Sequence, residues 1–96
     1  MYTLLTKPDG TPGFTEVKGH KIEIEGFEDF DFFYYKGQYE KFHVIEQRTG
    51  LSIANGYRLK DAKLATKDRL ESHGRRSFMR AIKGNIEKNG MPPGIE

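Results

Sequence analysis

Ninety-six residues, 31% of them charged and none of them cysteine, make one domain with no disulfide framework, no thiol nucleophile and no thiolate metal site. At 35% hydrophobic content the core must be small, and seven Phe and five Tyr carry it, each ring burying roughly 150–250 Å². The net charge of +2 hides a split: residues 1–57 hold six Lys/Arg against nine Asp/Glu, and residues 58–88 hold ten against four, so any attraction for polyanions belongs to the C-terminal half.

No apolar run approaches the roughly 20 residues that span a bilayer. Met1 to Pro8 lacks the basic start and apolar run of a signal peptide. A cytoplasmic chain that makes no membrane contact is expected.

Tyr2 to Thr6 has strand character. Pro8-Asp9-Gly10 is a turn in which Pro fixes φ, Asp caps and Gly takes a positive φ, and Thr11-Pro12-Gly13 extends the loop. Phe14 to Val17 reads as a short strand, and Lys21 to Glu25 alternates charged and apolar residues as a half-buried strand does. The Glu-Asp part of Phe27 to Asp31 rounds a loop. Phe32 to Lys36 carries aromatics on both faces, which predicts a central strand or one covered twice. Gly37-Gln38 is a tight turn into a strand over Tyr39 to Gln47. Phe42, Val44 and Glu46 fall on one side of that strand, and His43, Ile45 and Gln47 on the other. Arg48-Thr49-Gly50 turns the chain into Leu51 to Ala54, and Asn55-Gly56 closes the sheet.

Helical spacing then takes over. Leu59, Ala62, Thr66, Leu70 and His73 share one face of a helix over 59–73, and Leu64 falls on its polar side. Gly74 is a stop signal. A second helix, with Ser77 or a neighbour as N-cap, runs to about Lys88 with Phe78, Met79, Ile82 and Ile86 on one side. The expected fold is α+β: a four- or five-stranded, mostly antiparallel sheet followed by two C-terminal helices, with residues 1–90 as the domain and 91–96 as a flexible tail.

The histidines His20, His43 and His73 have no metal-ligand spacing, and no cofactor or metal is expected. Glu28-Asp29-Phe30-Asp31 lacks the alternating oxygens of a hard-cation loop, and it reads as a solvated acidic face or a patch for a basic protein partner through Glu28, Asp29 and Asp31. No nucleophile elbow or phosphate-binding Gly loop is present. An enzyme would have to draw on His43 with Glu46 or Asp31. The basic residues are more suggestive. Lys60, Lys63 and Lys67 form a stripe on one helix flank, and Arg75, Arg76, Arg80 and Lys83 continue the charge, which makes Lys60, Lys63, Lys67, Arg75, Arg76 and Arg80 the candidate nucleic-acid residues.

Lys60-Asp61-Ala62-Lys63, followed by Ala65, Thr66 and Leu70, resembles the last helix of double-stranded RNA-binding domains. That resemblance covers residues 42–70 and implies phosphate contacts by Lys60 and Lys63. The family's first Lys is Leu59 here, and the family opens with a helix where residues 1–36 read as strands and loops. The order of Thr49-Gly50, Gly56, Ala62, Ala65 and Leu70 behind an aromatic-rich front is also similar to small uncharacterised proteins of phages and mobile elements, which implies an accessory role. The leading expectation is a non-enzymatic interaction or regulatory protein, with an unknown protein or a nucleic acid as partner.

Overall fold

Phe32 and Phe33 point to opposite faces of one strand and both are buried, so this sheet must be covered twice. The computed structural model, which describes residues 1–94, supplies two different covers. Strands β3 (His20–Ile22), β4 (Phe32–Lys36), β5 (Phe42–Glu46) and β6 (Ser52–Gly56) form an antiparallel sheet in chain order. Two helices, α1 (Leu59–His73) and α2 (Arg75–Asn89), follow it. Strands β1 (Tyr2–Thr6) and β2 (Pro12–Glu16) pair only with each other, with Leu4 opposite Phe14. The fold is thus α+β, with a four-stranded sheet and a separate N-terminal hairpin.

On the helix side the core joins Ile24, Phe27, Phe32, Val44 and Ile53 to Ala62, Leu70, Phe78 and Ile82. Helix α1 lies on β6 and β5 through Ala62, Thr66 and Leu70, one residue per turn. The Thr66 hydroxyl donates to the Ala62 carbonyl at 2.8 Å, so its burial leaves no donor stranded. Leu64 is 53% exposed, as its place on the polar side requires, and His73, expected on the packed face, is exposed at the helix end. Helix α2 docks with Phe78, whose ring stacks on Phe32 (centroids 6.2 Å apart) and meets Phe30 edge-on (5.0 Å).

The other face carries Phe33 and Ile45, both fully buried. The backbone of Gly19 is wedged against Phe33 and Met1, so closely that a methyl group there would lie 2.6 Å from the Phe33 ring and 2.6 Å from the Met1 sulfur. The hairpin is fastened at Gly50, whose carbonyl accepts the Leu4 N–H (2.7 Å) and the Thr3 hydroxyl (3.1 Å). Gly50 itself sits at φ 76.

Several boundaries differ from expectation for local reasons. Strand β3 ends at Ile22 rather than Glu25, because Ile24 and Phe27 are drawn into the helix-side core through a turn closed by Phe27 N–H to Ile24 carbonyl. Asn55 and Gly56 close the sheet not as a turn but as the last two residues of β6, paired with His43 and Phe42, and the chain leaves at Tyr57. The turn expected at Gly37-Gln38 falls on Tyr39 and Glu40, both at positive φ, so β5 begins only at Phe42. Helix α2 starts at Arg75 and not after Ser77, since Gly74 at φ 80 ends one helix and starts the next with no side-chain cap. Beyond α2, Pro92 is buried, and Pro92 and Pro93 line a small cavity with Met1, Tyr2 and Gln47. Residues 95–96 of the expected tail lie outside the described residues.

Candidate functional site

The stripe Lys60, Lys63 and Lys67 lies on α1 as its spacing predicts, but it does not face open solvent alone. Across a groove of about 560 Å³ stand Glu23, Glu25 and Glu28, with Ile24 and Leu64 between the two rows. Lys67 Nζ lies 3.2 Å from Glu25 and 4.0 Å from Glu71, and the Glu25 carboxylate raises the pKa of the ammonium. A polyanion approaching this flank meets three carboxylates along with the lysines.

Arg75 is engaged more completely. Its Nη1 donates to both oxygens of Asp29 (2.6 and 2.5 Å), and Nη2 donates to the Gly26 carbonyl. The guanidinium also lies over the rings of Phe27 (5.1 Å) and Phe30 (5.3 Å), the planar geometry that suits arginine. The hydrogen bond from Arg75 lowers the pKa of Asp29. Of the three acidic residues expected to meet a partner, Asp29 therefore clips its own loop to α2. Glu28 lines the α1 groove, and Asp31 is exposed at the side chain while its carbonyl accepts the Gln47 N–H.

Arg76 and Arg80 differ from these. Both are exposed, and neither makes an ion pair among the described residues. Arg80 belongs to a second groove, of about 540 Å³, floored by Phe30, Met79, Ile82 and Ile86 and rimmed by Arg48, Lys83 and Glu87. Met79 is 55% exposed there. The helical spacing of Met79, Ile82 and Ile86 already marks the floor, but Phe30 and Arg48 come from two loops and reach this place only through the tertiary fold. The six candidate cations thus divide into three that share a groove with carboxylates, one locked to Asp29, and two left free.

His43 stacks on Tyr35 (5.1 Å, 17° between rings), and burial, assisted by the Lys41 charge, lowers its pKa. It is not brought to the acidic loop. Asp31 adjoins Gln47, just past the end of β5 and four residues from His43, which is about 13 Å of extended chain. Glu46 is fully buried, and its carboxylate accepts hydrogen bonds from the following turn: the N–H groups of Arg48 (2.9 Å) and Thr49 (2.8 Å) and the Thr49 hydroxyl (2.8 Å). Desolvation raises its pKa against the pull of those donors. Among the described residues no cluster of three His, Asp or Glu side chains could hold a metal ion, and no helix is long and apolar enough to cross a membrane. Comparison of the chain with family models, with curated proteins and with solved structures found no match, so no likeness to a known protein assigns these surfaces a role.

Proposed function

We propose that this chain is a binding module, without chemistry of its own, that docks an acidic segment of a partner protein along the outer face of α2. The observation that carries this reading is the α2 groove: an apolar floor of Phe30, Met79, Ile82 and Ile86 between the cations Arg48, Arg80 and Lys83, with Glu87 the one carboxylate on its rim. An amphipathic helix with apolar anchors at i, i+3 and i+4 and Asp or Glu on its flanks complements both parts. The apolar side chains supply affinity and the charges supply orientation and encounter rate. A duplex nucleic acid fits less well, because its phosphates gain nothing from the apolar floor and the α1 lysines lie opposite carboxylates.

Calorimetric titration with acidic amphipathic helical peptides, and with versions whose Asp and Glu are replaced by Lys, tests this. Binding is expected for the acidic peptides only. Met79→Asp should abolish it, Arg80→Glu should weaken it roughly tenfold or more, which is about 1.4 kcal/mol, and Lys63→Glu should leave it unchanged. Equal binding of the basic peptides, or indifference to Met79→Asp, would remove the proposal.

A further inference from the structure

A second surface lies at the opposite end of the sheet and owes nothing to the α2 groove. His20, Tyr34 and Phe42 come from three neighbouring strands, β3, β4 and β5, and lie on the same face. The ring centroids of His20 and Tyr34 are 5.2 Å apart and those of Tyr34 and Phe42 are 5.8 Å apart. This is the helix side of the sheet, since Phe42 packs at the margin of the helix-side core. Helix α1 lies on β6 and β5 with its first turn against Gly56, the partner of Phe42, and α2 meets the sheet at Phe32, so the open part is the β3 and β4 side. His20 is exposed, and Tyr34 and Phe42 are half-buried.

A cation stands over the same face: Lys36 Nζ lies 5.7 Å from the Phe42 ring. Lys41, whose Nζ lies 5.1 Å from the 68% exposed Tyr57 ring, belongs to the other face, because Phe42 and its partner Gly56 face α1 and successive strand residues alternate. The nearest opposing charge is Glu40, 3.9 Å from Lys36 in a contact where both side chains are more than half exposed. Such a surface pair is weak and yields readily to a competing anion.

We propose that this face at the end of the sheet binds single-stranded nucleic acid, with bases stacking on His20 and Tyr34 and a phosphate meeting Lys36. Rings spaced by little more than a ring width offer successive platforms to successive bases, and every base has a face to stack. Lys36 explains why the ligand is a polyanion and not a neutral sugar, which would use the rings and leave the ammonium idle. Exposed rings favour a single strand over a duplex, whose bases are already stacked and paired and which offers mainly phosphates and groove edges.

The test is fluorescence anisotropy with a labelled oligothymidylate or oligouridylate of about twelve nucleotides, within the span one such platform holds, beside a duplex of the same length. Single strands are expected to bind at low salt, with a log–log salt slope of roughly −0.7 per phosphate neutralised. His20→Ala and Tyr34→Ala should each weaken binding roughly 5- to 150-fold. Lys36→Glu should flatten the salt slope, and circular dichroism should show all three variants folded. The proposal is overturned if no strand binds at low salt, if the duplex binds as tightly, or if the folded ring variants bind like the parent. It is equally overturned if Arg80→Glu abolishes strand binding while Lys36→Glu leaves it intact, which would move the polyanion to α2.

Discussion

The two turns that flank β5 are built on opposite plans. The turn after it, residues 47–51, is closed from inside: Glu46 accepts three hydrogen bonds, the Glu46 carbonyl accepts the Gly50 N–H (2.8 Å), and Thr49 and Gly50 are buried. The turn before it, residues 38–40, is open. Tyr39 and Glu40 sit at φ 60 and 59, where a side chain costs about 1–2 kcal/mol per residue, and both are exposed. One turn is a fastener, joining β5, β6 and the N-terminal hairpin at a single carbonyl. The other carries strain with nothing packed on it, and it presents Tyr39, 84% exposed, beside the aromatic and cationic end of the sheet. Strain of this kind concentrates where a chain must display a group, whereas buried polar closure concentrates where pieces must be held.

The sharpest way to break this contrast is at the fastener. A methyl group on Gly50 would lie 3.0 Å from the Leu4 nitrogen and 3.4 Å from the Phe14 ring, and the backbone there has positive φ. The same Leu4 N–H is bonded to the Gly50 carbonyl, so relieving the clash also stretches that bond. Gly50→Ala is expected to cost roughly 2–4 kcal/mol in chemical denaturation. It should also speed amide exchange in β1 and β2 more than in β5, because the hairpin is what the turn holds. A loss under 1 kcal/mol with no change at the hairpin would mean that Gly50 is not the fastener.

The open turn should respond in the opposite direction. Asn-Gly suits paired positive φ far better than Tyr-Glu does. The double substitution Tyr39→Asn, Glu40→Gly is expected to raise stability by about 1–2 kcal/mol. The same change removes an exposed ring beside the proposed strand site, so affinity for single strands should fall as stability rises. Higher stability with unchanged affinity would show that the strained turn has no part in binding.

Local chemistry made much of this legible. Gly50 as a turn, Gly74 as a stop, the docking residues Ala62, Thr66 and Leu70, and aromatics on both faces of β4 all follow from spacing and from backbone restrictions that act within a few residues. The places where strands ended did not. Ile24 continues an alternating pattern, and only the presence of a helix-side core diverts it; Tyr39 and Glu40 carry no preference for positive φ and adopt it because the register of β4 and β5 demands a short connection. Surfaces were legible as composition but not as pairing. The lysines of α1 read as a free stripe because Glu23, Glu25 and Glu28 are some 40 residues away in sequence, and Arg75 reads as free until the fold brings Asp29 to it. The α2 groove had its floor in the spacing of Met79, Ile82 and Ile86, while Phe30 and Arg48 needed the whole fold.

The smallest effect is also the most diagnostic of the closed turn, because it isolates one group. Glu46 has a folded-state pKa raised above its ordinary 4.5, with desolvation outweighing its hydrogen bonds. As pH falls from neutral, the folded chain takes up this proton before the unfolded chain does. The contribution of Glu46 is therefore most favourable below 4.5 and is lost as pH rises through the raised value. Asp9 and Asp29, whose values are lowered, act in the opposite sense and below their ordinary 3.8, outside that window. His43 also acts in the opposite sense, but below its ordinary 6.5, where it partly masks the Glu46 slope. Comparison with Glu46→Gln removes the masking, since His43 is common to both chains. Near pH 4.5 the folded parent holds a neutral acid whose two oxygens face the Arg48 N–H and the Thr49 donors, whereas Gln must turn its NH2 toward one of them, so the variant should be weaker there by roughly 1–2 kcal/mol. That deficit should shrink as pH rises toward 7, because only the parent then carries a buried charge. A deficit that stays constant across the range would mean that the turn solvates its carboxylate fully and that its closure carries no electrostatic penalty.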